Sequence, residues 1–201
     1  MVVGNIIAFC VFAFVTSATP GPNNLMLLAS GVNFGTRASI PHILGISSGF
    51  FIMLVAVGLG LSAMFSYYPT AYTVMKFLCS AYLLYLAWGI ATAHNPRKNE
   101  VAKPARPMSW TGAALFQWVN PKAWIMAIGA FGAYVPPKPG IVLTLGIAAL
   151  FAIINAPSVA IWAVIGSKLR RLIEKPTYRR WFNIGAALLL ALSLVPVFLG
   201  F

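Results

Sequence analysis

Charged residues are scarce in this chain of 201 residues, and acidic residues are almost missing. Only 8% of the residues are charged, there is no aspartate, and the two acids are Glu100 and Glu174. A soluble domain carries roughly 25% charged residues, so a wetted globular enzyme is excluded. Two cysteines and two histidines are too few for a disulfide framework or a metal site. We therefore expect no metal and no cofactor, with Cys10 and Cys79 acting as packing residues.

The chain instead contains a series of long apolar runs, and 60% of its residues are hydrophobic. A hydrocarbon slab of ~30 Å needs about 20 apolar residues per helix. The runs are continuous rather than alternating, which favours helices over barrel strands. The N-terminal run lacks a basic segment and an A-x-A-like cleavage site, so we expect it to be retained. The sequence predicts an all-α membrane protein with six transmembrane helices, at about 4–28, 40–65, 71–93, 112–134, 141–165 and 183–200.

Basic residues lie mostly in the loops on one side of the predicted spans. The first, third and fifth loops hold eleven of them: Arg37, Arg97, Lys98, Lys103, Arg106, Lys168, Arg170, Arg171, Lys175, Arg179 and Arg180. The opposite side offers only Lys76 and Lys138. This bias places the three loops in the cytoplasm and both termini outside. The net charge of +12 therefore reflects membrane orientation rather than nucleic-acid binding, and the last of these loops, 166–181, is expected to lie at the interface.

A weak internal repeat relates the two halves of the chain. When the sequence is shifted by 101 residues, Pro20 aligns with Pro121, and the tripeptide at 44–46 aligns with the identical one at 145–147. Each half holds three spans, so the second copy enters the membrane from the opposite side, as in the inverted repeats of many secondary transporters. We expect one transporter domain over 1–201, made of two inverted three-helix repeats: about 4–93, a cytoplasmic loop at 94–111, and about 112–200.

The first and fourth predicted spans each contain a helix-breaking motif, TPGPNN at 19–24 and NPK at 120–122. Proline lacks an amide donor and glycine permits non-helical angles, so carbonyls one turn earlier lose their partners. In lipid each such carbonyl costs several kcal/mol unless protein or water satisfies it. Both breaks lie about 12–13 Å from the cytoplasmic surface, at 1.5 Å per residue. They predict a polar site near the bilayer centre, with Asn23 and Asn24 as hydrogen-bond partners; the alternative is a pair of kinks that only shape helix packing.

The motifs TPGPNN (19–24) and QWVNPKAW (117–124) resemble those of the LysE/RhtB family of bacterial amino-acid exporters. The resemblance covers essentially the whole chain, including the six spans and the basic loop after the third. The doubled asparagine is most similar to the branch that exports cysteine and O-acetylserine, although homoserine, threonine and leucine exporters share much of the motif. The resemblance implies efflux of small neutral amino acids across the bacterial inner membrane, driven by the membrane gradient.

Lys122 is the sharpest candidate for a substrate-binding residue. It lies about ten residues into the fourth span, where a lysine costs roughly 2.5–3.5 kcal/mol, and no predicted span holds an acid. Its ammonium needs water, carbonyls or an anionic ligand such as an amino-acid carboxylate; the alternative is snorkelling to the cytoplasmic headgroups. The candidate substrate-binding residues are Pro20, Gly21, Pro22, Asn23, Asn24, Asn120, Pro121, Lys122 and Asn155.

Four further features leave alternatives open. Asn155, in the middle of the fifth span, either lines the same substrate cavity as Lys122 or forms a hydrogen bond with a neighbouring helix. His42 opens the second span near the cytoplasmic surface, where a lone histidine is expected to be solvated; a coupling role is the alternative. Trp124, beside Lys122, is a candidate for the cavity wall. The G-x-x-x-G motif at 45–49 serves either internal packing or the seam of a homodimer.

Three classes of function are compatible with a polytopic membrane chain. A passive channel or ion transporter is disfavoured because no charged ring or carbonyl-filter motif is present. A membrane enzyme is disfavoured because no nucleophile–base pair or metal-ligand set is present. An exporter, with a small amino acid and the lipid bilayer as its partners, fits best. The coupling ion stays open: protons would have to use Lys122, His42 or the substrate itself, and sodium would have to use freed carbonyls and the asparagines.

Overall fold

The computed structural model describes residues 3–61, 69–92, 106–136, 139–173 and 175–195. A short 3-10 turn at Arg37–Ser39 precedes α3, and a π-helical turn at Val57–Leu61 continues it. The described part contains no strand, which confirms the all-α prediction. Its eight α-helices are α1 (Val3–Ala18), α2 (Pro22–Phe34), α3 (Ile40–Ala56), α4 (Pro69–Ala91), α5 (Trp110–Val119), α6 (Pro121–Tyr134), α7 (Ile141–Leu172) and α8 (Pro176–Leu192).

Several of these helices match the thickness of a bilayer. Arg37–Leu61 and Ile141–Arg170 are each long and apolar enough to cross one. The pair Ile6–Ala18 and Pro22–Phe34 reaches that length together, with a bend of 52° between its halves. Ser80–Ala91 is apolar but shorter. The described residues thus offer two spanning helices, or three when the bent pair counts as one.

Both predicted helix breaks are present. α1 ends at Ala18 because neither Pro20 nor Pro22 can donate an amide to the preceding turn. Pro22 then begins α2 at its first position, where the missing amide is harmless. In the second half, α5 ends before Asn120, whose φ of −92° and ψ of 107° are extended, as expected for a residue that precedes a proline. The first predicted span therefore consists of two helices and runs on past residue 28 to Phe34.

Most of the described part of the basic segment at 166–181 is helical, so the prediction of a loop over this range is wrong. α7 continues through Leu172, and α8 begins at Pro176. The lysine, arginine and leucine residues of this segment are good helix formers, and Pro176 is well suited to the first position of the next helix. α8, which corresponds to the sixth predicted span, therefore starts earlier than predicted. The end of that span, 196–200, lies outside the described residues.

An aromatic cluster packs one end of the bundle. α7 lies against α1, α2 and α3, and its Phe151 makes edge-to-face contacts with Phe9 of α1 and Phe50 of α3, at centroid distances of 5.6 and 5.0 Å. Tyr134, the last residue of α6, contacts Phe9 in the same way at 5.8 Å. Cys10 packs against this cluster, as expected, whereas the side chain of Cys79 lies outside the described part. The cluster therefore packs α1, α3, α6 and α7 together through ring contacts.

The G-x-x-x-G motif serves internal packing. A Cβ atom on Gly45 would collide with the Trp110 carbonyl and lie 2.7 Å from the Ala113 Cβ, and one on Gly49 would lie 2.5 Å from the Ala114 Cα. Both glycines therefore let α3 approach the backbone of α5 closely. This decides between the two sequence-based alternatives, because the motif is occupied within the chain.

Candidate functional site

Lys122 connects the two helix breaks. It is the second residue of α6, and its Nζ donates to the Thr19 carbonyl at 2.6 Å, the Thr19 hydroxyl at 2.9 Å and the Pro20 carbonyl at 3.3 Å. The ammonium thus points at the opposite break, in α1–α2, and does not snorkel toward headgroups. Carbonyl oxygens, which are among the partners expected from the sequence, stabilise it.

Other side chains satisfy the remaining carbonyls at the end of α1. Asn24 Nδ2 donates to the carbonyls of Ser17 and Thr19, at 2.8 and 2.7 Å. Trp162 of α7 donates from Nε1 to the Ala18 carbonyl at 3.1 Å. The last turn of α1 can therefore end inside the bilayer without orphaned acceptors, whose cost would be several kcal/mol each. The prediction that an asparagine supports the break is confirmed for Asn24.

Gly21 is required by the close approach of Lys122 rather than by its own backbone angles. Its φ of 179° is extended and open to any residue. A Cβ atom at this position, however, would lie 2.6 Å from Lys122 Cδ and 3.1 Å from Nζ. Any larger residue at position 21 would force the stem of the Lys122 side chain to shift.

The second break is held by carboxamides. Asn120 Oδ1 accepts from the Lys122 amide at 3.1 Å and so caps the N-terminus of α6. Asn23 and Gln117 form a reciprocal pair: Asn23 Nδ2 donates to Gln117 Oε1 at 2.8 Å, and Gln117 Nε2 donates to Asn23 Oδ1 at 3.2 Å. Gln117 also donates to the Ala113 carbonyl at 2.8 Å. This pair ties α2 directly to α5, beside the lysine.

Two buried carboxamide oxygens have no hydrogen-bond partner among the described residues, Asn24 Oδ1 and Asn155 Oδ1. Asn155 Nδ2 donates to Ser17 Oγ at 3.0 Å, which leaves its oxygen directed elsewhere. A buried acceptor without a partner costs about 1–3 kcal/mol. Native proteins retain such groups rarely, and each needs an explanation such as water or a ligand.

Both oxygens belong to residues that line a small cavity between the breaks, here called the central cavity. Its volume is about 20 Å³, enough for about one water molecule and too small for an amino acid. Lys122 is the charged residue in its wall. The lining residues are Thr16, Ser17, Gly21, Asn23, Asn24, Phe50, Gln117, Asn120, Lys122, Ala123, Met126, Asn155 and Val159.

The nine residues predicted from the sequence fall into two groups around this cavity. Six of them line it: Gly21, Asn23, Asn24, Asn120, Lys122 and Asn155. The three prolines, Pro20, Pro22 and Pro121, lie outside the lining and shape the backbone that ends one helix and begins the next. Sequence reasoning missed the side chains of Thr16, Ser17, Gln117 and Trp162. Gln117 could have been identified from the sequence, because it is the first residue of the motif at 117–124.

Two other sequence-based expectations are wrong. Trp124 is not part of the cavity wall: it is buried on another face of α6, where Nε1 donates to the Trp118 carbonyl at 2.9 Å and the two indoles pack edge to face. A residue two positions after Lys122 points away from it on a helix. His42 is not an exposed interfacial residue, since only 1% of its surface is accessible; it lies in the wall of a different cavity.

The central cavity combines groups that complement a zwitterion. The Lys122 ammonium is the natural partner of a carboxylate, while the carbonyls it now contacts and the two free carboxamide oxygens can accept from an ammonium group. Hydrogen bonds that involve a charged partner are roughly twice as strong as neutral ones. Lys122 and the acceptors of the first break therefore place a cationic donor beside several hydrogen-bond acceptors.

Comparison with known proteins identifies the chain's relatives. A family model described as LysE type translocator matches residues 14–197. The cysteine/O-acetylserine efflux protein of Escherichia coli (strain K12) is 34% identical over 194 residues, which is 95% of this chain and 96% of that protein. The protein of the same name from Shigella sonnei (strain Ss046) has the same identity and coverage, and that of Escherichia coli O1:K1 / APEC is 33% identical. No solved structure matches the chain.

These matches cover both helix breaks and every residue of the central cavity. Together with the apolar helices, they make the protein a multi-pass transport protein of the inner membrane. The family that the two motifs resembled is confirmed. The chain belongs to the LysE type translocator family.

Proposed function

We propose that this protein exports small neutral amino acids or their derivatives, such as cysteine or O-acetylserine, and that the central cavity is its substrate site. The names of the relatives support this substrate class. The observation that carries the site is the contact of Lys122 Nζ with the Thr19 and Pro20 carbonyls. It places a cation and its acceptors together between two helix breaks, as expected for a carboxylate and an ammonium group bound side by side.

Substrate binding would exchange one ammonium group for another. The substrate's carboxylate accepts from Lys122, and its own ammonium group takes over acceptors at the first break, with Asn24 Oδ1 and Asn155 Oδ1 completing them. The zwitterion adds no net charge, and the pairing of its carboxylate with Lys122 and of its ammonium group with the acceptors offsets the cost of desolvating these two groups. Asn120 and Pro121 fix the start of α6 and thereby the position of Lys122, while Pro20, Gly21 and Pro22 expose the carbonyls. A cavity of about 20 Å³ has to widen during this exchange.

The architecture that we propose for this function has six spans in two inverted three-helix repeats within one domain over 1–201. Each half begins with a broken helix, α1–α2 or α5–α6, and continues with α3 and α4 or with α7 and α8. The two breaks lie in contact, as expected when repeats cross at a shared site near the bilayer midplane. The basic bias of the loops supports cytoplasmic placement of the turns after α2, α4 and α7.

Transport by alternating access is the mechanism we favour over a passive channel. The central cavity is bordered toward the start of α1 by the aromatic cluster around Phe151, and toward α5 by the Asn23–Gln117 pair. Helices packed in this way around one site suit a carrier that opens one side at a time. Its relatives are efflux proteins, which supports a carrier rather than an enzyme. A homodimer remains a prediction, and the 45–49 motif is not its seam.

The experiment that tests this function is counterflow with purified protein in liposomes. Liposomes loaded with unlabelled O-acetylserine should accumulate labelled O-acetylserine from outside, transiently and with saturation. A channel would show neither saturation nor uphill accumulation. Uptake that rises linearly with concentration, or no uptake of any small neutral amino acid, would contradict the proposal.

A further inference from the structure

A second and much larger cavity, here called the lateral cavity, lies between α2, α3, α4 and the segment that precedes α5. Its volume is about 480 Å³, within the range of ligand pockets, about 300–1,000 Å³. Met26 and Ser30 contribute from α2, His42 from α3, Gly89 from α4, and Arg106 and Met108 from the segment before α5.

The lateral cavity has polar groups in its wall that lipid could not satisfy. His42 is 1% exposed, and neither Nδ1 nor Nε2 has a hydrogen-bond partner among the described residues. A buried imidazole in contact with acyl chains would leave both ring nitrogens unsatisfied, at a cost comparable to that of any orphaned polar group. Water or a polar solute in the cavity removes this cost. Arg106, in the same wall, adds a guanidinium that suits a carboxylate.

The lateral cavity reaches almost to the central cavity. Met26 lines the lateral cavity, and Asn23, three residues earlier on α2, lines the central one; three residues span about 4.5 Å of helix. Asn23 and its partner Gln117 both line the central cavity on this side. On the other side of the central cavity, Phe50 belongs to the aromatic cluster. Two carboxamides therefore border the central cavity on the α2–α5 side, and packed rings border it near Phe50.

We propose that the lateral cavity is the cytoplasmic entrance chamber of the transporter. In this chamber the carboxylate of a small amino acid first binds Arg106, and the other polar groups of the amino acid form hydrogen bonds with His42. The Asn23–Gln117 pair is the inner gate that the substrate then displaces. This inference rests on the proposed function and on the cytoplasmic placement of the turns after α2 and α4. A bound lipid is the competing occupant, and the unsatisfied imidazole argues against it.

Thiol labelling distinguishes a wet chamber from a lipid-filled groove. Gly89 is a suitable probe site because a Cβ atom there meets no heavy atom within 4 Å, and the same holds for Gly146 on α7, which is outside the lateral cavity. Gly89→Cys and Gly146→Cys are placed in a chain whose Cys10 and Cys79 are replaced by serine. Inside-out vesicles are treated with an anionic, membrane-impermeant methanethiosulfonate reagent, with and without O-acetylserine.

We expect Gly89→Cys to react at least about tenfold faster than Gly146→Cys, because a thiol in apolar surroundings loses its reactive thiolate form. O-acetylserine at concentrations that saturate transport should slow this labelling at least about twofold by occupancy. Equal, slow labelling of both variants would mean that lipid fills the groove. Fast labelling that O-acetylserine leaves unchanged would overturn the substrate-binding role.

A transport measurement in the natural background tests the same proposal without the cysteine replacements. Arg106→Gln should raise the O-acetylserine concentration for half-maximal transport roughly two- to fivefold. The effect is modest because the guanidinium is exposed to water. Arg106→Lys should keep this concentration close to the wild-type value. Arg180→Gln, which removes an exposed charge of α8, should change nothing. An Arg106→Gln variant identical to wild type would overturn the chamber. If the vesicles export O-acetylserine but the cysteine at position 89 is not labelled, only the chamber is refuted. If that cysteine is labelled but the vesicles export no small neutral amino acid, the proposed function is refuted.

Discussion

Replacement of Lys122 by glutamine tests the substrate site at its most distinctive residue. The change deletes the charge and keeps part of the length and donor capacity. The Pro20 carbonyl loses its side-chain donor, but the Thr19 carbonyl keeps Asn24 at 2.7 Å. One orphaned acceptor costs about 1–3 kcal/mol, so the variant should still insert and fold. The effect on transport should be larger than the effect on abundance.

The expected loss of affinity follows from the bond that the substrate carboxylate would make. A charge-assisted hydrogen bond contributes about 1.5–3 kcal/mol, so the apparent affinity for O-acetylserine should fall roughly ten- to hundredfold. Lys122→Arg should recover only part, because a guanidinium differs in shape and hydration and the lysine stem is already tight against Gly21.

The assay is O-acetylserine counterflow in liposomes at matched protein content. Lys168→Gln, which removes an exposed charge near the end of α7, is the matched control and should transport normally. Wild-type transport by Lys122→Gln would remove the lysine from the site. The prolines and asparagines would then have to bind the carboxylate alone.

Two further predictions rest on individual contacts, and a third rests on the basic bias of the loops. Gly21→Ala should lower transport at least about tenfold at normal abundance, since its Cβ would lie 2.6 Å from Lys122 Cδ; Gly132→Ala, with nothing within 4 Å of its Cβ, is the control, and equal activity of the two would contradict the reasoning. Asn155→Leu should change the free energy of unfolding by no more than about 1 kcal/mol, because an orphaned acceptor disappears while the Ser17 hydroxyl loses its donor, yet abolish most transport; an active variant would show that Asn155 only packs. A phosphatase fused after Phe201 should be active, since the basic bias places that end outside; a fusion active only in the cytoplasm would reverse the orientation.

The local chemistry of the breaks could be predicted from the sequence. Proline and glycine at 20–22 have to end a helix, and a following asparagine is a natural donor to the freed carbonyls, as Asn24 is. The match of Pro20 with Pro121 indicated that both breaks lie at similar depth. A lone lysine without an acid had to find carbonyls, water or a ligand, and it finds carbonyls of the other break.

The partners across the bundle could not be predicted. Trp162 reaches the Ala18 carbonyl from 144 positions away, and Gln117 pairs with Asn23 across 94. Such contacts depend on how each helix is rotated about its axis, which packing decides. The same rotation turns Trp124 away from the cavity and buries His42. The helical continuation to Leu172 was missed because charge indicates membrane orientation and not where a helix ends.

The proposed site requires that Lys122 binds the carboxylate of the exported amino acid. The most direct measurement compares O-acetylserine with its uncharged carboxamide analogue as competitors of labelled O-acetylserine counterflow, in the wild type and in Lys122→Gln. We expect the wild type to prefer the carboxylate roughly ten- to hundredfold and the glutamine variant to lose most of this preference. An undiminished preference in the glutamine variant would contradict the proposed site.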